Sequence, residues 1–295
     1  MISVLIPTYN YNVYPLVKEI HKQFSKLAFD FEILVYDDAS DKEFEIFELF
    51  KDLDKVIYKK LSQNIGRTAI RHRLATDAQF DYLLFLDADT FPKDRFYIMK
   101  FIKALEKYPS DVYFGGIQVP ANPPSPDRIL RWKYGKEREN FSVEKRKKQP
   151  YRSILCGAIL IKKAVFLPII SELKSIKKYG LDIFFSYQLK EKQVKVYHFH
   201  NPIIHLGLET SEEFLKKTEQ AIDTLKFLIN KRMIDPKYSR LTKKTQQLSI
   251  SGCKTLTFPC KILKNLCIEN LLSANPSLFI LDIYKLYYFC HQTRK

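Results

Sequence analysis

The sequence predicts an α/β fold: a mostly parallel sheet flanked by helices, followed by a basic, mainly helical C-terminal extension. Three observations carry this reading. Short, nearly uninterrupted apolar runs recur at Ile2–Ile6, Phe31–Tyr36, Val56–Tyr58 and Tyr82–Leu86, the texture of strands buried on both faces. Stretches with apolar residues at helical spacing separate them, as in strand–helix–strand units. Past Asp235 acidic residues nearly vanish, leaving Glu269 and Asp282 among Lys and Arg interleaved with Leu, Ile, Phe and Tyr.

Taken in order, the first strand stops at Pro7. Val13, Leu16, Val17, Ile20, Phe24 and Leu27 then mark a helix, with Asn10 or Asn12 as cap and Pro15 tolerated in the first turn. The second strand stops at Asp37-Asp38. Phe44, Phe47 and Phe50 indicate a short helix, and a polar helix from Gly66 to about Gln79 follows the third strand. The fourth strand stops at Asp87-Ala88-Asp89, ahead of a helix through Ile98, Phe101, Ile102 and Leu105 and a strand at "DVYFGG". Right-handed crossovers would bring Pro7, Asp38 and Asp87 to one sheet edge. After Val119, "PANPPSPD" reads as an extended turn. The basic stretch Asp127–Arg152, densest at Lys145–Lys148, reads as a mobile loop over a site or as a solvated helix or loop. Ser153–Ile161 and "VKVYHFH" read as further strands, and residues 211–232 as an amphipathic helix.

A net charge of +16 implies acidic partners: nucleic acid, anionic lipid headgroups or phosphorylated small molecules. The start lacks the basic, apolar and small-residue succession of a secretory signal, and no uncharged apolar run is long enough to span a membrane. The cysteines (Cys156, Cys253, Cys260, Cys267, Cys290) are odd in number, scattered and without a CxxC pair. They suit reduced thiols in a cytoplasmic protein and argue against a zinc site or a disulfide framework. The basic amphipathic tail reads as a membrane-surface element, or as a helical appendage packed on its own domain.

In an extended chain, Asp87 and Asp89 would aim two carboxylates into one space at the carboxyl end of a buried strand, where open α/β sheets bind ligands. Two hard oxygen donors there suit Mg²⁺ or Mn²⁺ holding a diphosphate. The alternative is a solvated loop whose aspartate caps the next helix.

Four motifs in order, "SVLIPTYN" (Ser3–Asn10), "EILVYDDAS" (Glu32–Ser40), "NIGRTAIR" (Asn64–Arg71) and "FLDAD" (Phe85–Asp89), resemble the donor half of family 2 glycosyltransferases of bacterial polysaccharide and lipopolysaccharide synthesis. With a weaker match to about Leu206, the resemblance covers roughly two thirds of the chain. It implies the GT-A fold, a Rossmann-like, mostly parallel sheet: residues 1–232 as the transferase domain (1–119 the nucleotide-sugar half, 120–232 the acceptor half) and 233–295 as the extension. It further implies that Pro7, Thr8 and Tyr9 cradle the nucleotide base and that Asp38 accepts from the base imide, with Asp37 sharing that role or holding the loop. Core packing is the other use of Tyr9. Asn64 and Gly66 would turn beside the ribose and diphosphate. Arg71 would lie near the diphosphate or brace the aspartates, unless it is a surface helix arginine. Asp89 would bind the metal and Asp87 face the ribose or sugar. His72 and Leu74 stand where the family usually has Asn and Gly.

In the acceptor half, Gly180-Leu181-Asp182 matches the family's Gly-Glu-Asp-like element, making Asp182 the catalytic base; the alternative is a helix cap. Leu181 replaces an acid there. His205, between "NPII" and "LG", matches a histidine that completes the metal site, while His198 and His200 form a rival pair on one strand face. Imidazole with carboxylate suits Mn²⁺. The implied activity is metal-dependent inverting transfer from a nucleotide sugar, UDP-linked in preference to GDP- or dTDP-linked, to a saccharide or lipid-linked acceptor in cell-surface glycan synthesis. Such an enzyme would be cytoplasmic, with an anionic inner membrane face as a further station. Competing readings are nucleic-acid binding through the basic loop and tail, disfavoured by the paired acids at the strand ends, a sugar-1-phosphate nucleotidyltransferase, which lacks its glycine-rich loop here, and a metal-free pseudoenzyme.

Overall fold

The computed structural model describes residues 1–42, 46–152, 154, 156–247 and 264–292. It divides into two units: Met1–Val119 with Asn140–Lys177 and Gln188–Gly207, and Pro120–Glu139 with Lys178–Tyr187 and Leu208–Lys295.

In the first unit, the four apolar runs form β1 (Ile2–Thr8), β2 (Phe31–Asp37), β3 (Val56–Lys60) and β4 (Tyr82–Leu86), all parallel. Their side chains are almost wholly buried in β1, β2 and β4. Pro7 lies inside β1 rather than ending it, since Thr8 still pairs with Asp37. The connecting helices are α1 (Tyr14–Phe24), α2 (Ile46–Lys51) and α3 (Arg67–Asp77). Asn12 Oδ1 accepts the Tyr14 amide at the start of α1. In α2, Phe50 is buried against Tyr58; Phe44 and the side chain of Phe47 lie outside the described residues. Buried polar groups at the amino end of the strands satisfy one another: Ser3 donates to Glu32, which also accepts the Gln79 amide, as buried polar atoms require.

Further along come β5 (Thr90–Pro92), α4 (Tyr97–Lys107), β6 (Val112–Phe114), β7 (Ile117–Gln118), β8 (Ala158–Lys162), β9 (Val196–His198) and β10 (Ile203–His205). The large sheet has the order β3-β2-β1-β4-β8-β6-β9, and β5-β10-β7 form a small second sheet. Two sequence expectations need correction. The run Ser153–Ile161 becomes a strand only from Ala158, and β8 runs antiparallel to both β4 and β6. An apolar run reports burial, whereas strand direction follows from the connection. The aspartate tripeptide is also not extended: the Thr90 amide and hydroxyl both donate to the Asp87 carbonyl, closing a turn at Ala88-Asp89.

The basic stretch is not a uniformly solvated loop. Helix Val143–Lys148 carries Arg146 inward, only 3% exposed. Its guanidinium donates to the carbonyls of Phe114 (2.8 Å), Phe199 (2.9 Å), Gly115 (3.1 Å) and Phe141 (3.2 Å), and burial lowers its pKa to about 10.

The second unit is helical. Helix Ser211–Asn230 opens with a capping box in which Thr210 and Glu213 exchange side-chain and backbone hydrogen bonds. Helix Leu278–Gln292 buries Leu278, Leu281 and Tyr284 with Leu130, Phe214, Leu215 and Leu271. The apolar positions of that part of the tail therefore meet protein. Arg138 pairs with Asp282 at 3.0 Å, and Lys285 lies over the Tyr134 ring. Residues 248–263, with Cys253 and Cys260, lie outside the described residues. Among the described residues, no helix is long and apolar enough to cross a membrane.

Candidate donor site

The carboxyl ends of β1, β2 and β4 gather the sequence-predicted acids of the first unit, because parallel neighbours end at one edge. At the end of β2, Asp37 and Asp38 are both 4% exposed. Asp37 accepts the Ser40 amide (2.8 Å) and the Tyr58 hydroxyl (2.9 Å). Asp38 accepts the amides of Ile65 (2.7 Å) and Gly66 (2.9 Å). It thereby ties the loop before α3 to the sheet, a use the sequence reading did not foresee. Gly66 has φ +89°, a conformation that favours glycine, and Lys177 Nζ donates to the Asn64 carbonyl at 3.0 Å.

The segment after β1 is pinned to this loop. Asn10 (φ +51°) accepts the Asp41 and Lys42 amides and takes Ser40 Oγ on its own amide at 2.7 Å. Tyr9 is 48% exposed rather than packed in the core, and its hydroxyl donates to Asp41. The Thr8 hydroxyl donates to the Tyr11 carbonyl.

Asp87 meets two guanidiniums. Arg71 Nη2 donates to one carboxylate oxygen, and Arg67 Nη2 to the other at 2.9 Å. Burial by itself would raise the Asp87 pKa, but the charges of Arg71, Arg67 and His205 hold it below the ordinary carboxylate value. Arg71 is 4% exposed, so it is no surface arginine; it braces the aspartate. Arg67 was not anticipated, since a cation on a helix's first turn reads as solvated.

Asp89 turns to His205 instead, with Nε2 3.0 Å from Oδ2. The small sheet makes this pair: β10 runs antiparallel to β5 with His205 opposite Thr90, and the Leu206 amide donates to the Asp89 carbonyl. Two glycines make room for the acids. A Cβ on Gly157 would fall within 3.0 Å of the Asp87 carboxylate, and one on Gly207 within 3.0 Å of the Asp89 carboxylate. Neither was recognised in the sequence, where only an isolated glycine beside an apolar run hinted at close approach. His198 is structural: Nε2 donates to the Pro150 carbonyl at 2.9 Å, and it is 2% exposed.

Asp182 belongs to the second unit, at the first position of helix Asp182–Glu191. Gly180, just before it, has φ +88° and lies against Ala221 of the same unit.

The model of glycosyl transferase family 2 matches residues 3–166, more than half of the sequence and all the strands that carry these acids except β9 and β10. The chain belongs to glycosyl transferase family 2. The family match stops short of Asp182 and His205. A relative in Bacillus subtilis (strain 168), "Putative glycosyltransferase CsbB", is 30% identical over 111 residues, 36% of this chain and 33% of that one. The aligned stretch thus spans about a third of that relative. A crystal structure of S. aureus TarS 1–349 in complex with UDP-GlcNAc matches with a TM-score of 0.51 and 15% identity, covering 99% of this chain and 91% of that one. At that identity the likeness is one of fold, and it bears out the expected mixed α/β architecture with a mostly parallel central sheet.

The donor set fits a divalent cation that takes few protein ligands. Among the described residues no group of three His, Cys, Asp or Glu gathers as a metal cage. Asp89 and His205 offer one carboxylate and one imidazole, suited to Mn²⁺. Mg²⁺-like ions commonly combine one or two side chains with substrate phosphates and water.

Proposed function

We propose that this family 2 member transfers a sugar from a nucleotide sugar, UDP-linked in preference, to a saccharide or lipid-linked acceptor with inversion at the anomeric carbon. The observation that carries the reading is the division of the two acids after β4: Asp87 held by Arg67 and Arg71, Asp89 held by His205. One acid is kept charged beside guanidiniums, and the other sits with a second metal-type donor. Asp89 and His205 would hold Mn²⁺ or Mg²⁺, which when bound neutralises charge developing on the departing nucleoside diphosphate.

The chain's own residues do the rest. Pro7, Thr8 and Tyr9 line the base, with the exposed Tyr9 ring as a stacking face. Asp38 accepts from the base imide while its oxygens keep Ile65 and Gly66 in place; a carboxylate has acceptor sites for both duties. Asn64 and Gly66 turn the chain beside the ribose, Arg71 braces Asp87, and Asp87 faces the ribose or sugar. Asp182 takes the proton of the attacking acceptor hydroxyl as general base.

An anionic membrane surface is the proposed station for a lipid-linked acceptor. Its support is the charge of +16 together with Leu266 and Phe279, which are 59% and 72% exposed; sedimentation with anionic vesicles at physiological salt tests it, and a chain left in the supernatant rejects it. For the donor, UDP and GDP titrated calorimetrically with and without Mn²⁺, on the unmodified chain and on Asp89→Ala, decide the matter. UDP binding that needs metal and disappears in the variant supports the reading. Absence of nucleotide binding under every metal condition rejects it.

A further inference from the structure

We propose that Arg67 grips the diphosphate of the donor, exchanging its contact with Asp87 for phosphate oxygens as the nucleotide sugar arrives, while Arg71 stays behind as the permanent partner of Asp87. The inference rests on the nucleotide-sugar reading above and assigns a diphosphate-binding residue within it.

The two arginines differ in freedom. Arg71 has a side chain only 5% exposed, donates from Nη1 to the Arg67 carbonyl at 3.2 Å and from Nη2 to Asp87. It is committed inward. Arg67 has a side chain 52% exposed and meets Asp87 through Nη2 at 2.9 Å. One carboxylate charge thus faces two guanidinium charges, so Asp87 keeps a counter-ion when Arg67 departs. A half-exposed ion pair contributes little stability, which makes the exchange inexpensive.

The surroundings suit an anion. Arg67 is the first residue of α3, whose N-cap is Gly66; no side chain caps that end and no acid stands in its first turn. Helix N-termini favour phosphate. Asp38 fixes the approach by holding the Ile65 and Gly66 amides, and Lys177 lies over Gly66 with Cγ 3.5 Å from where a Cβ would stand. Deeper in the cluster, the buried Nε of Arg71 has no hydrogen-bond partner, so the cluster holds one more donor than its own acceptors satisfy. A guanidinium fork matches phosphate oxygens two at a time, which a lysine cannot reproduce.

The test compares UDP with uridine, by calorimetry in Mn²⁺, for the unmodified chain, Arg67→Ala, Arg67→Lys and Arg73→Ala, with circular dichroism confirming that each is folded. Arg73 is exposed on the same helix and controls for the loss of one positive charge. The expected result is UDP binding about tenfold or more weaker in Arg67→Ala, intermediate in Arg67→Lys, and near the unmodified value in Arg73→Ala. Uridine affinity should stay within about twofold throughout. UDP binding undiminished in Arg67→Ala overturns this proposal alone. So does an equal loss for uridine, or an equal loss in Arg73→Ala. A chain that binds no UDP before any substitution overturns the nucleotide-sugar reading, and this proposal with it.

Discussion

Nε2 of His205 lies 3.0 Å from Oδ2 of Asp89, although 116 residues separate them in sequence. The antiparallel register of β10 on β5, His205 opposite Thr90, creates the pair. Each residue orients the other, so removal of the imidazole loosens the carboxylate as well as deleting a donor.

His205→Ala should therefore weaken metal-dependent UDP binding by about 10- to 100-fold, the usual effect of losing a group that binds or orients at a metal site. Metal-independent uridine binding should not change. Calorimetry with and without Mn²⁺ separates the two, and full metal-dependent affinity in the variant would remove His205 from the site.

The glycines facing the acids make a steric prediction. In Gly157→Ala and Gly207→Ala the new methyl collides with the Asp87 and Asp89 carboxylates respectively. Overpacking of this kind typically destabilises by about 1–3 kcal/mol. Donor binding should suffer more than stability, because the carboxylates must move. Urea unfolding alongside UDP titration checks this; wild-type affinity in both variants would contradict the geometry.

Asp182→Asn tests the proposed base apart from the donor site. UDP affinity should stay unchanged while turnover falls about 10²- to 10⁴-fold, the range for loss of a general base. Turnover with the unmodified rate would leave Asp182 as a helix-starting residue alone.

Much of this was legible in the sequence, for identifiable reasons. β1, β2 and β4 are buried on both faces, so their apolar runs are continuous and the acids that end them stand out. The pairing of Asp89 with His205 rests on strands of three residues, too short for any periodicity, and the motif resemblance alone singled out His205. The side-by-side aim of Asp87 and Asp89 was inferred from an extended chain that is in fact a turn. Arg146 was hidden within Lys145–Lys148, because a run of cations looks equally solvated at every position. What distinguishes it is a set of carbonyls supplied by Phe114, Gly115 and Phe199, brought together only by the fold.

The buried pair of Arg146 and His198 makes the last prediction, on pH. His198 Nε2 donates to Pro150, and Nδ1 lies 3.4 Å from Arg146 Nη1, an arrangement for neutral imidazole. Burial above all, with the charges of Arg146 and Lys147, lowers its pKa from 6.5 to about 4, despite the opposing effect of the Pro150 carbonyl. Between those values the unfolded chain binds a proton that the folded chain refuses. The contribution of His198 is thus complete above about pH 6.5 and is lost as pH falls towards 4, with a slope of at most about 1.4 kcal/mol per pH unit. In His198→Gln, whose amide can still donate to Pro150, that part of the acid sensitivity should vanish. Urea unfolding of both proteins at pH 7 and pH 5 measures it as a difference of differences, which cancels the titration of the carboxylates. Identical losses of stability between the two pH values would show that His198 is protonated in the folded chain, contrary to its surroundings.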